Sequence, residues 1–249
     1  DGNTIASVTG TATLVGVVSP DTVNVSGSPV GTFSTSTVGS NTVAVTGLSL
    51  GGGDEANYSL TQPTLNASIT AKLITVTPDS GQTKVYGAAN PTYAYTNTAL
   101  VGTDSLSGSL SRLTGENVGG YAITLGTLTA SPNYTVVLHS TPVIFFVTAK
   151  PITVTASSTQ SKVYSNNSGT DPVFAYSVSP ALVGGDSFTG SLTRVAGENV
   201  GIYAIATGTL SAGTNYSMTF NSNNFTIIKA TPVITWATPS DIVYGTLLS

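Results

Sequence analysis

Hydrophobic and polar residues alternate along this chain in short runs that stop at glycine, asparagine, serine or proline. Lys72-Leu-Ile-Thr-Val-Thr77 is representative, with Ile74 and Val76 on one side and Thr75 and Thr77 on the other. Successive side chains of an extended strand point to opposite faces, so this is the pattern of a strand with one face buried. Between residues 72 and 149 such runs fall near 73–77, 83–87, 92–96, 106–113, 121–129, 134–138 and 143–149. The residues between the runs suit turns: glycine reaches positive φ, and Asn and Ser bond their own backbone. No window carries the capped 3.6-residue period of a helix. The pattern predicts an all-β chain of tandem small β-sandwiches, Ig-like in general architecture.

The runs repeat with a period near 80 residues. Lys72–Thr77 matches Lys150-Pro-Ile-Thr-Val-Thr155, and Lys84-Val-Tyr86 matches Lys162-Val-Tyr164. Leu100-Val-Gly-Thr-Asp-Ser105 matches Leu182-Val-Gly-Gly-Asp-Ser187, and Gly108-Ser-Leu-Ser-Arg112 matches Gly190-Ser-Leu-Thr-Arg194. Gly115-Glu-Asn-Val-Gly-Gly-Tyr-Ala-Ile123 matches Gly197-Glu-Asn-Val-Gly-Ile-Tyr-Ala-Ile205, and Asn133-Tyr134 matches Asn215-Tyr216. A further copy starts at Lys229 and reaches Ile242-Val-Tyr-Gly245, with Trp236 at its opening strand and so expected in a core. The first 71 residues keep the order of parts (Thr42–Val45, Gly47–Leu50, Asn57-Tyr58) without the Gly-Glu-Asn turn. The expected division is 1–71, 72–149, 150–228 and a partial repeat over 229–249. Ile144–Ala149 runs through Lys150-Pro151 into the next opening strand with no Gly/Ser linker. Short connections limit bending, which predicts a stiff, extended string of repeats, an extended rod.

These blocks resemble a known family. Lys84-Val-Tyr-Gly87, Gly108-Ser-Leu-x-Arg112, the two Gly-Glu-Asn-Val-Gly-x-Tyr-Ala-Ile segments and Asn-Tyr are similar to the MBG repeat of the Tyr-Gly type. The leading unit, opening Asp1-Gly2-Asn3-Thr4, is similar to the YDG repeat without its tyrosine, so its opening strand and any secretion signal are expected outside this sequence. Tyr164 is followed by Ser165 where the pattern has glycine. The resemblance implies tandem arrays in large filamentous-haemagglutinin-like and gliding-type bacterial surface adhesins, and hence an extracellular, cell-surface location. Neighbouring repeats of the same chain are the implied partners.

Composition narrows the chemistry. Charged residues are 7% of the chain, against roughly 25% in an average soluble protein. Hydrophobic residues at 40%, in ordered alternation, argue against disorder. Seven Lys and Arg, spread thinly in a chain of net charge −4, form no basic patch for nucleic acid. The absence of cysteine removes disulfides and thiolate chemistry. The longest apolar run, Val143–Val147, falls far short of the ~20 residues of a membrane-spanning helix, and most runs are short for barrel strands of ~9–11 residues.

Candidate site residues are few. His139, the single histidine, sits in a Ser/Thr-rich turn without the partners a triad or zinc site needs. Arg112 and Glu116, and likewise Arg194 and Glu198, stand four apart, which suits a salt bridge bracing a turn in each repeat, with Gly115 and Gly197 supplying left-handed backbone. Asp54 and Glu55 are the weak candidates for calcium as a cofactor; no Asp-x-Asp-x-Asp-Gly loop supports them. Recurrent tyrosines (Tyr93, Tyr95, Tyr121, Tyr134, Tyr176, Tyr203, Tyr216) fit packing with a bonded hydroxyl, or a sugar-binding row. Lys84, Glu116 and Asn133, with Lys162, Glu198 and Asn215, hold the residue types of an intramolecular Lys–Asn amide cross-link. No phosphate loop or nucleophile elbow occurs. The expected role is therefore non-enzymatic: a stalk segment that projects a binding region or builds a surface filament. The alternatives are a glycan- or protein-binding module, and lateral assembly into fibres through sheet edges.

Overall fold

The computed structural model describes residues 2–245 and 247. Its regular structure among the described residues is strand, with two short 3-10 turns at Glu55–Asn57 and Ser168–Thr170. Two compact units divide it: Asp1–Lys84 with Ala89–Val147, and Val85–Ala88 with Thr148–Ser249.

The first unit opens with a four-stranded antiparallel meander of β1 (Ile5–Ala6), β2 (Asn24–Phe33), β3 (Gly39–Gly51) and β4 (Thr64–Ile69), in that order. β3 alternates as the sequence pattern requires, burying Val43 and Val45. Those two are the buried hydrophobic residues among the described positions before Ile74, so this meander has a thin core. The rest of the unit is two facing sheets. In one, β5 (Lys72–Pro78) lies between β7 (Tyr95–Asn97) and β10 (Tyr134–Leu138). In the other, the order is β6 (Thr83–Val85), β11 (Ile144–Thr148), β9 (Gly119–Thr124), β8 (Ser111–Arg112). Ile74, Val76, Leu110, Ile123, Phe145 and Val147 close the core, and Tyr93 packs edge-to-face on Phe145.

The second unit repeats that pair of sheets. β12 (Lys150–Ala156) lies between β14 (Tyr176–Ser179) and β17 (Tyr216–Asn221). β13 (Gln160–Val163), β18 (Asn224–Ile228), β16 (Gly201–Ala206) and β15 (Thr193–Arg194) form the other sheet. Its core is Val154, Phe174, Leu192, Ile205, Leu210, Phe225 and Ile227. Phe174 takes the place and the edge-to-face packing of Tyr93, on Phe225 instead of Phe145.

Alternation locates most strands but not their direction. β5 pairs with β10 in parallel, β12 with β17 in parallel, and β13 with β18 in parallel. The parallel partner of an opening strand lies far along the chain, Lys72 meeting Tyr134 and Lys150 meeting Tyr216. The described residues 229–245 form no strand, and Trp236 is 88% exposed, contrary to the expectation of a core position.

Candidate functional site: a charged cluster under the Gly-Glu-Asn turn

The most elaborate side-chain arrangement lies beneath the Gly-Glu-Asn turn of each repeat. In the first unit Lys84 projects from β6 and Arg112 from β8, the two outer strands of one sheet, and both reach Glu116. Their side chains are 5% and 3% exposed, whereas Glu116 is 61% exposed. Asn90 Oδ1 accepts from Arg112 Nε at 3.2 Å and Nη2 at 3.1 Å. The guanidinium also donates to the carbonyls of Leu113 and Gly115, and lies over the rings of Tyr121 and Phe145. These carbonyl bonds tie the turn to the sheet, and burying the guanidinium against rings requires its donors to be satisfied in this way.

The second unit has the same construction with one change of charge. Lys162 contacts Glu198 at 2.8 Å and Asp171 at 2.6 Å, and Arg194 contacts Asp171 at 2.7 Å and Glu198 at 2.6 Å. Asp171 stands where the first unit has Asn90. Two cations and two carboxylates therefore balance here, while Lys84, Arg112 and Glu116 leave one positive charge in excess. Hydrogen bonds from Lys162, reinforced by Arg194 against the opposing effect of burial, lower the pKa of Glu198. Burial alone would raise the Asp171 pKa, but bonds from Arg194 and Lys162 outweigh it and lower it. Burial would likewise lower the Lys162 pKa, and its two carboxylate partners raise it instead. Glu116 is lowered mainly by Lys84.

The glycine of the turn is fixed by space as well as by conformation. Gly115 has φ +143° and Gly197 +145°, and a Cβ at either would stand 2.2 or 2.3 Å from the ring of Tyr121 or Tyr203. Those rings stack on Arg112 and Arg194 at 4.7 and 4.9 Å and donate their hydroxyls to the Asn117 and Asn199 carbonyls.

The structure brings together Arg112 with Glu116 and Arg194 with Glu198, as the spacing suggested. Asn90 and Asp171 were missed. The signal was the match of Asn90-Pro-Thr-Tyr-Ala-Tyr95 with Asp171-Pro-Val-Phe-Ala-Tyr176, where the polar residue before proline recurs. The trio for an amide cross-link is not assembled around Asn133, whose Oδ1 accepts from the Val38 amide and whose carbonyl accepts from the Lys72 amide. The Asn215 carbonyl accepts from the Lys150 amide in the same way. Asp54 Oδ2 is taken by the amide and hydroxyl of Thr22, and Glu55 opens a 3-10 turn. Among the described residues no three of His, Cys, Asp and Glu converge on a common point. His139 is exposed and accepts from the Thr141 amide. Tyr134 and Tyr216 are buried and donate to Asp104 and Asp186 at 2.5 Å. Tyr93 is buried, and among the described residues its hydroxyl has no hydrogen-bond partner.

The family model of the MBG domain (YGX type) matches residues 74–141 and 152–226. The chain belongs to the MBG domain family. The YDG domain model matches residues 1–65, ahead of the two MBG repeats. No curated protein and no solved structure matches the chain. Within the MBG repeats the matched spans contain both charged clusters, both Gly-Glu-Asn turns and the Asp104–Tyr134 and Asp186–Tyr216 pairs. Repeat domains of this all-β kind are typical of non-enzymatic structural modules.

Proposed function

We propose that this chain is a stalk segment of a secreted or cell-surface bacterial adhesin, in which tandem repeats give reach and stiffness to a binding region elsewhere. The observation that carries the reading is where the cations go. Lys84, Arg112, Lys162 and Arg194 lie in the clusters, and Lys72 and Lys150 donate to the carbonyls of Ala99 and Ala181. That accounts for six of the seven Lys and Arg. Side chains with the chemistry to act on a ligand are engaged in bracing turns and strands. The same assignment recurs in both MBG repeats, as architecture demands and a single active site does not. Strand β11 ends at Thr148 and β12 begins at Lys150, so the repeats follow one another with a single residue between strands.

The tyrosines give little support to the glycan-binding alternative: Tyr93, Tyr134 and Tyr216 are buried, and Tyr121 and Tyr203 stack on arginines. Small-angle scattering of the full chain tests the proposal. A globule of this length has a radius of gyration of about 18 Å. A stalk gives a value well above that, with the cross-section of a rod; a value near the globular one refutes it.

A further inference from the structure

The two MBG repeats carry the same three-residue construction at one end, and among the described residues only one of them has it filled. In the second unit, Asp186 Oδ2 accepts from the Tyr216 hydroxyl at 2.5 Å and from the Tyr86 hydroxyl at 2.9 Å. Tyr216 Oη in turn accepts from the Val183 amide at 2.8 Å. The rings of Tyr86 and Tyr216 meet edge-to-face, with centroids 5.5 Å apart and planes at 79°. The following residue, Gly87, has φ +78° and presses on Val183 so closely that a Cβ would stand 2.3 Å from Cγ2. Tyrosine brings the hydroxyl and glycine allows the approach.

The first unit reproduces the receiving half. Tyr134 donates to Asp104 Oδ2 at 2.5 Å, and Tyr134 Oη accepts from the Val101 amide at 3.0 Å. Asp104 and Asp186 close the same backbone turn, each amide donating to the valine carbonyl at 3.0 Å. Gly2, at φ +71°, lies against Val101 as Gly87 lies against Val183, its Cβ position 3.0 Å from Cγ1. Beside Tyr134, where the twin holds a second phenol ring, is a cavity of about 390 Å³ lined by Gly2, Val101, Gly102, Asp104 and Tyr134 among others. Among the described residues, Tyr134 supplies the one tyrosine hydroxyl on Asp104.

We infer that this cavity is a tyrosine-receiving site. A tyrosyl side chain from a neighbouring repeat enters it, sets its ring edge-to-face with Tyr134 and donates its hydroxyl to Asp104. The second carboxylate lone pair and the open ring edge give the site its selectivity for a phenol over a plain phenyl group. The inference draws on the tandem-repeat reading only for the source of the tyrosine. The site itself stands on the comparison of the two units.

The test uses the full chain with N-acetyltyrosinamide as the probe, followed by amide NMR shifts. Saturable shifts are expected at Val101, Gly102 and Asp104, with the phenylalanine analogue weaker by about tenfold, the effect of one charge-assisted hydrogen bond. In the Tyr86→Ala chain a second set of shifts is expected at Val183, Gly184 and Asp186, because the twin site is then open. No saturable shift at Val101–Asp104, or equal affinity for the two probes there, overturns the inference. A compact particle in scattering would sink the stalk proposal and leave this result untouched.

Discussion

Replacing Arg194 with methionine keeps most of the buried stem and removes the guanidinium. Asp171 and Glu198 then share Lys162 alone, and the cluster passes from neutral to one net negative charge. Removing one partner of a buried ion pair costs roughly 3–5 kcal/mol. Here the carboxylates are 18% and 23% exposed, so solvent recovers part of the loss and the lower end, about 3 kcal/mol, applies. The matching Arg112→Met change strands less charge. Glu116 is 61% exposed and keeps Lys84, and Asn90 is neutral, so what is lost is hydrogen bonds and ring contact, about 1.5 kcal/mol. Native-state hydrogen exchange in the full chain reads each unit separately, through peptides covering β9 (119–124) and β16 (201–206). The expected result is a drop confined to β16 for Arg194→Met, and a drop about half as large at β9 for Arg112→Met. Equal losses, or losses under 0.5 kcal/mol in both, would show that the clusters behave as solvated surface pairs and refute the argument.

Tyr93→Phe removes a buried hydroxyl without a partner and copies Phe174, so it raises the urea midpoint, by about 1 kcal/mol in stability; a loss would mean the hydroxyl is bonded. Glu116, Asp171 and Glu198 have lowered pKa values in the fold, so their contribution is complete above their unfolded pKa near 4 and is lost as pH falls through the lower folded values. Tyr134, raised mainly by Asp104, Tyr216, raised by burial and Asp186, and Lys162 hold their protons more tightly in the fold, so their contribution is complete below about pH 10 and is lost as pH rises further. Urea midpoints followed by circular dichroism are therefore flat between about pH 5 and 9 and fall at both ends, with the second unit, which has two cluster carboxylates, the more acid-sensitive. Lys162 is paired with Asp171 and Glu198, and the Asn133 and Asn215 carbonyls accept from the Lys72 and Lys150 amides, so the expected intact mass is that of the uncross-linked chain; a mass lighter by one ammonia per unit contradicts this.

Strand positions were legible because alternation is a local property. Ile74 and Val76, Ile152 and Val154, and Phe145 and Val147 all lie buried on the faces that a period of two assigns them. Strand direction was not legible, since a parallel ladder such as Lys72 with Tyr134 joins segments whose pairing leaves no mark in either. The charged cluster was half legible for a related reason. Arg112 and Glu116 are neighbours in sequence, but Lys84 and Asn90 join them only through the sheet order β6-β11-β9-β8. Trp236 was misplaced because a local match to an opening strand does not fix burial, which depends on what packs against it.

The sheet order also explains what the cluster does mechanically. β6 and β8 are the two edges of their sheet, and Lys84 and Arg112 reach from those edges across the middle strands to one carboxylate, with Arg112 lying over Phe145 of β11 and Tyr121 of β9. A one-residue slip of either edge strand would turn its cation to the opposite face and leave Glu116 with one partner, so the cluster fixes register at both edges together. Its worth lies there more than in net stability, since a buried ion pair adds little over a well-packed apolar substitute. The edges it holds are three and two residues long, too short to offer a ladder to another chain. Low charge leaves this surface few of the repulsions that keep β proteins apart, and the shortness of these two edges limits the backbone ladder they can present.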